Sequence, residues 1–363
     1  MKKEKGLLTL LAASSLLLIF ILLVIYPPSE KSNTVTVYCA HDSIYADKIL
    51  KEFQKESGID IIVKFDTEAT KSIGLIELLK RERNNPRCDL FWNNEILGTM
   101  ELKKEGILQP YKGVGYRRIP EKFKDPDGYW TGFAARLRVY IFNTNKIKLS
   151  GEKEPLSPLP GKSERQVFLP AQLQNEITNR PANFAIAKPL YGTTLTHFTC
   201  IAKEIGMDNL KKWYSNVKKQ GVKILNGNAA VKDAVSIGGC TLGWTDTDDF
   251  FAAKFAGKPV EMRAVRLKSG ATVSIPNSVA IIAGTQHLNQ AEQLADFLLS
   301  AKCEIMLAES HSRQIPLGKV NQSKLPPEVR KLKEWNKNAL TLTEELLPLR
   351  KKCIEWLKSE LKK

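Results

Sequence analysis

Cysteine is sparse in this chain and badly spaced for chemistry. Cys39, Cys88, Cys200, Cys240, Cys303 and Cys353 form no Cys-x-x-Cys pair, so the common zinc spacings are excluded and most of these residues read as small buried hydrophobes. There is no phosphate-binding loop, nucleophile elbow, zinc-protease helix or glycine-rich dinucleotide fingerprint. None of the chemistries those motifs carry is therefore indicated. Internal repeats and low-complexity tracts are also missing, and histidine occurs only four times. Beyond the first 26 residues there is no long hydrophobic run.

The remaining composition is that of a globular protein: 363 residues, 43% hydrophobic and 26% charged, with a formal net charge of +16. That length fits two domains better than one core. Lys2, Lys3 and Lys5 precede an apolar run from Leu7 to Tyr26, roughly 20 residues and enough to span a bilayer. It ends in Ile-Tyr-Pro-Pro without a small-residue cleavage site, and no cysteine follows closely enough for a lipoprotein signal. The basic flank stays cytoplasmic. Residues 1–33 are therefore expected to be an uncleaved signal anchor with its linker, a cleaved signal being the alternative. Either way the body is exported, which argues against nucleic acid as a partner despite the basic surplus; anionic lipid, an acidic partner face or a plainly solvated surface remain.

The pattern along the body predicts strands at Thr34–Tyr38, Ile59–Phe65 and Cys88–Trp92, with helices at Ile44–Glu56 and Ile73–Arg83 between them. Strand and helix alternate, so a parallel, doubly wound sheet is expected. Ligands sit beyond the carboxyl ends of such strands, where the polar breaks His41-Asp42, Glu68-Ala69-Thr70 and Asn93-Asn94-Glu95 fall. A short strand is predicted at Arg138–Phe142, a surface loop at Lys146–Glu164, and a second α/β unit from Phe184 to Trp244. Val273–Ala283 reads as a strand interrupted at Pro276-Asn277, and Glu328–Lys362 as one charged helical tail.

Gly243-Trp-Thr-Asp-Thr-Asp-Asp249 sets Asp246, Asp248 and Asp249 within four residues of a basic chain. Crowded carboxylates raise one another's pKa unless a cation or donors neutralise them. The segment is thus either a cation site or an acidic turn capping the next helix. Gly192-Thr193-Thr194 precedes a helix and offers free amides and two hydroxyls to an anion, or simply an N-cap. His41 is the strongest histidine candidate for a ligand, Glu95 a carboxylate candidate, and Arg136 either binds an anion or anchors a hinge. Asn228 lies in the turn Asn226-Gly227-Asn228, at the end of another predicted strand.

Val35–Asp42, Asp89–Glu95, Leu102–Leu108, Gly132–Val139, Lys188–Thr194 and Ile275–Asn277 together, in this order, resemble the periplasmic iron(III)-binding proteins of ABC importers over about residues 34–318. The resemblance implies a two-lobed α/β fold of the type II periplasmic-binding class, each lobe a doubly wound sheet flanked by helices and joined by hinge strands. Residues 34–137 and 273–363 would form the first lobe, with a C-terminal helix packed on it, and 138–272 the second. In that family a histidine, a glutamate and two adjacent tyrosines hold iron, often with a synergistic anion. By matching motif His41 and Glu95 would be metal ligands. Asp246, Asp248 and Asp249 would complete the set, because Asp248-Asp249 stands where the family has its tyrosine pair. Asp42, Thr70, Arg136, Gly192, Thr193, Thr194 and Asn228 would meet the anion or the rest of the ligand. Carboxylates are hard donors that discriminate less than phenolates, so Fe(III), another hard cation or an ammonium group all fit. The resemblance further implies a monomer that delivers its ligand to an ABC permease with its ATPase. Capture of a phosphonate, another small anion or a polyamine is the alternative, with a sensor or a metal-dependent hydrolase after it.

Overall fold

The computed structural model describes residues 33–66, 73–147 and 171–360. The apolar run at 7–26, Thr70 and most of the expected loop at 146–164 lie outside the described residues. Among the described residues no helix is long and apolar enough to cross a membrane.

The chain opens with β1 (Thr34–Cys39), α1 (Ser43–Ser57), β2 (Asp60–Phe65), α2 (Ile73–Arg81), β3 (Leu90–Asn93) and α3 (Leu97–Lys104). Helix α1 forms where its apolar residues recur at helical spacing, burying Ala46, Ile49, Leu50 and Phe53. Gly58 ends it in the left-handed region at φ 67°. Strand β1 runs parallel between β2 and β3, as the strand–helix alternation predicts. After β4 (Leu108–Gln109) and α4 (Val114–Arg118) comes β5 (Thr131–Asn143).

Strand β5 is far longer than the expected Arg138–Phe142. All 13 of its residues are buried, so alternation, the usual signature of a strand, is lost. Two sheets share it. Its first half pairs antiparallel with β10 (Ser274–Ile282), and its second half pairs with β8 (Leu242–Asp246) and β9 (Val260–Ala264). The second lobe is built from α5 (Ala171–Asn179), β6 (Phe184–Ala187), α6 (Gly192–Ile205), α7 (Met207–Lys219), β7 (Lys223–Leu225), α8 (Asn228–Ser236), β8, α9 (Thr247–Phe255) and β9. The strand order is β2-β1-β3-β10-β5-β8-β6-β7, with β4 on β10 and β9 on β5.

Strand β10 carries the interruption expected at Pro276-Asn277. Pro276 pairs with Ala135 and Asn277 with Phe133, leaving Ala134 as the extra residue at φ 41°, a β-bulge that turns the strand. The last helices are α10 (Leu288–Leu298), α11 (Ala301–Glu309), α12 (Pro327–Lys337) and α13 (Leu347–Glu360). The helical tail expected at Glu328–Lys362 is made of α12 and α13. Between them the backbone at Asn338–Leu340 pairs with Thr272, and Pro348 sits near the start of α13, where its missing N–H costs nothing. All six cysteines are free and buried, as their scattered spacing suggests.

Candidate functional site

The carboxyl ends of β1, β3, β6, β7 and β8 converge on a cleft of about 570 Å³ between the lobes, where strand-end ligands are expected. The first lobe contributes His41, Asp42, Tyr45 and Asn94; the second contributes Gly192–Thr194, Asn228 and the three aspartates, with Arg136 of β5 between them. Of the residues singled out above, these come together.

Strand β8 delivers Asp246 at its last position, and α9 starts at the next residue. Asp246 therefore holds the N-cap position but makes no capping hydrogen bond. Its Oδ1 instead lies 2.7 Å from Nη1 of fully buried Arg138, and its Oδ2 accepts from the Thr193 hydroxyl at 2.6 Å and the Asn228 amide at 2.9 Å. Arg138 Nη1 also donates to Asn228 Oδ1 at 3.1 Å. Asp248 and Asp249 lie in the first turn of α9, where the helix dipole favours negative charge. Asp248 Oδ2 is 3.1 Å from Nε of buried Arg136. Two of the three acids are thus already matched by arginines.

Asp249 is placed differently. Its Oδ2 accepts from the Thr245 hydroxyl at 2.8 Å. Burial, then the charges of Asp248, Asp246 and Asp42, push its carboxyl well above the usual range, against that one hydrogen bond. One ligand atom from each of Asp246, Asp248 and Asp249 falls within 4.8 Å of the others. This grouping can receive a cation, which would offset the repulsion that raises the Asp249 carboxyl.

His41 lines the cleft wall, stacked on Trp92 with centroids 5.2 Å apart. Its Nδ1 is 3.4 Å from Arg136 Nη2 and its Nε2 is 3.3 Å from Gln314 Nε2. Arg136 Nη2 donates to Asn277 Oδ1 at 2.9 Å, which leaves the Asn277 amide to donate to Gln314 Oε1 at 2.8 Å. The ring His41–Arg136–Asn277–Gln314 closes on itself, and because a neutral imidazole has one acceptor nitrogen, His41 accepts from only one of these two N–H groups, according to its tautomer. His41 thus sits at the cleft wall beside Arg136.

Glu95 is not brought to the cleft; Asn94 stands there instead. The Glu95 carboxylate accepts from the backbone amides of Leu97 and Gly98, both at 2.8 Å, as α3 begins. It also takes the Thr196 hydroxyl at 3.2 Å and lies 3.6 Å from Arg350. The short acidic break after β3 gives no sign of this, because a carboxylate near a helix start serves equally as a cap.

Sequence reasoning missed Tyr45, Lys188, Tyr191 and Lys232, which also line the cleft. Tyr45 follows Asp42 by three residues, and Lys232 follows Asn228 by four, so helical spacing was the available signal. Burial, then Asp248, Asp42 and Asp249, raise the Tyr45 phenol above its ordinary value, which keeps it a hydrogen-bond donor in the absence of a cation. Gly192 opens α6 at φ 51°, a conformation that favours glycine. The α6 and α8 N-termini, with Lys188 and Lys232, make this end of the cleft attractive to an anion.

Two α/β lobes joined by long shared strands, with a polar cleft at the strand ends, define a protein that encloses a small solute. A family model described as bacterial extracellular solute-binding protein matches residues 89–338, and the chain belongs to that family. Iron uptake protein A1 of Synechocystis sp. is 27% identical over 122 residues, a stretch that spans 33% of this chain and only 32% of that relative. Among solved structures, iron-bound HitA from Pseudomonas aeruginosa superposes with a TM-score of 0.74 at 18% identity, covering 90% of this chain and 98% of that one. AfuA from Actinobacillus pleuropneumoniae, described with fructose-6-phosphate bound, gives 0.70 at 18% identity, covering 91% and 98%. At such identities the structural likeness carries the fold: the two-lobed type II periplasmic-binding architecture.

Proposed function

We propose that this chain is the solute-capturing component of an ABC importer at the outer face of the cytoplasmic membrane, held there by residues 7–26. It encloses a hard cation, Fe(III) being the first candidate, together with a small anion. The observation that carries this reading is Asp249: a carboxyl driven up by burial and by three other carboxylates, in a group whose other two acids already have arginine partners. Adding a cation relieves that repulsion. The anion would lie against Gly192–Thr194 and Asn228, within reach of Lys188 and Lys232. Loaded protein would then hand its ligand to a permease with its ATPase.

A second reading is favoured by a specific feature. Arg136 and Arg138 neutralise Asp248 and Asp246, and the hydroxyls, amides and lysines around the starts of α6 and α8 suit a phosphorylated sugar or a phosphonate without metal. Native mass spectrometry with elemental analysis of protein purified from its own host separates the two. The cation reading expects bound metal, and calorimetry with Fe(III)–citrate should show heat that D248A/D249A abolishes. Unchanged Fe(III) affinity in that double variant ends the carboxylate assignment. A bound phosphate ester without metal establishes the second reading.

A further inference from the structure

The last helix touches both lobes. Near its start Arg350, 3% exposed, pairs with Glu101 of α3 and lies 3.6 Å from the Glu95 carboxylate, both on the first lobe. One turn on, Cys353 Sγ is 3.6 Å from Met207 Sδ of α7. Further along, Trp356 meets the Tyr214 ring edge-on with centroids 5.4 Å apart, and Glu360 lies 3.9 Å from Lys218; Tyr214 and Lys218 both belong to α7. Arg350 and Glu360 are ten residues apart, about 15 Å along a helix, so one rigid rod carries first-lobe contacts at one end and second-lobe contacts at the other. A second tie lies beside it, where the Thr196 hydroxyl of α6 donates to Glu95 at 3.2 Å. Glu95 is thus the meeting point of α3, α6 and α13.

We infer that α13 is a strap that holds the lobes near the spacing they have in this structure, with Arg350 as the positioning residue that ties it to the first lobe. None of these contacts includes the cleft ligand, so the inference stands on the two-lobed fold whatever the solute is. Contacts that bridge the lobes favour the interlobe spacing that forms them by their own free energy. Loosening them leaves each lobe folded and frees the rotation between lobes. The buried pairing also explains why Arg350 is an arginine: it satisfies two carboxylates on different turns of the same segment, which a single ammonium does less well.

The test is an interlobe distance measured by paired spin labels in the full chain without added ligand. Ile62→Cys on β2 and Ile237→Cys after α8 place the labels, since these side chains are 59% and 78% exposed while the native cysteines are buried. In Arg350→Gln the main distance should lengthen and broaden, with Arg350→Lys falling between that variant and the unsubstituted protein; both should keep its circular dichroism spectrum. An unchanged distance distribution in folded Arg350→Gln overturns the strap. Hydrogen exchange on the unsubstituted chain decides the matter even if that variant does not fold. Amides of α13 should be protected to the same order as those of α6, and exchange of α13 as a frayed terminus beside a protected α6 overturns it equally.

Discussion

At the scale of single residues, burial moves the pKa values of Asp249 and His197 in opposite directions. Asp249 has a raised folded pKa, so between its unfolded value, about 3.9, and its folded value the native state binds the extra proton. Stability from this group is present at low pH and is lost as pH rises through the folded value. Asp249→Asn is therefore expected to raise the melting temperature of ligand-free protein at pH 8, read by calorimetry, while removing cation binding. Fe(III)–citrate binding to the unsubstituted protein should release a proton, visible as heat that varies with the buffer's ionisation enthalpy. His197 shows the opposite sign. It is fully buried in α6 against Trp244, with neither ring nitrogen hydrogen-bonded, and burial, then Arg138, depress its pKa well below the ordinary value. The unfolded chain takes up a proton below about 6.5 that the folded chain refuses, so stability falls as pH drops through that value. His197→Leu should flatten the decline in melting temperature between pH 7 and pH 5.

At the scale of elements, β8 was legible and β5 only in part. The sequence places a strand at Thr241–Trp244 running into the acidic segment, and the strand is Leu242–Asp246. What it did not show is how closely β8 is covered. A Cβ on Gly243 would sit 2.4 Å from Val231 Cγ1 and 2.9 Å from the Ala185 carbonyl oxygen, backbone that cannot retreat. Gly243→Ala is expected to cost about 1–3 kcal/mol as an overpacked core, measurable by denaturant unfolding. It should also weaken ligand binding, since the same strand aims Asp246. In β5 the residues Gly132, Ala134 and Ala135 read as poor strand formers; they lie in a strand because they are buried and β10 pairs along that half of it. The bulge at Ala134 opposite Pro276-Asn277 brings Asn277 to Arg136, an aim that no local propensity encodes.

At the scale of the whole molecule, α13 reaches from one lobe to the other. The strap has a pH limit of its own. Burial alone would raise the Glu101 carboxyl, but Arg350 and Lys80 outweigh it and hold the group below its ordinary value. A depressed carboxylate contributes stability above its unfolded value and loses it as pH falls through the folded one. Acidification below about pH 4 should therefore lengthen the interlobe distance, and a conservative Glu101→Gln should make it long already at pH 7. An interlobe distance insensitive to both would leave Glu101 without a part in the strap.

The sequence by itself determined the α/β class, the order of elements and the acidic segment, because hydrophobic period and turn residues are local properties that survive in any context. It also brought His41, Arg136, Gly192–Thr194 and Asn228 to strand or helix ends, where a cleft would find them. Tertiary structure alone decided what each group is free to do. Arg136 and Arg138 neutralise Asp248 and Asp246, Arg136 and Gln314 face the nitrogens of His41, and helix α3, Thr196 and Arg350 claim Glu95. Those partners are distant in sequence, and the charge of a buried group is set by whatever the fold places within a few ångströms of it.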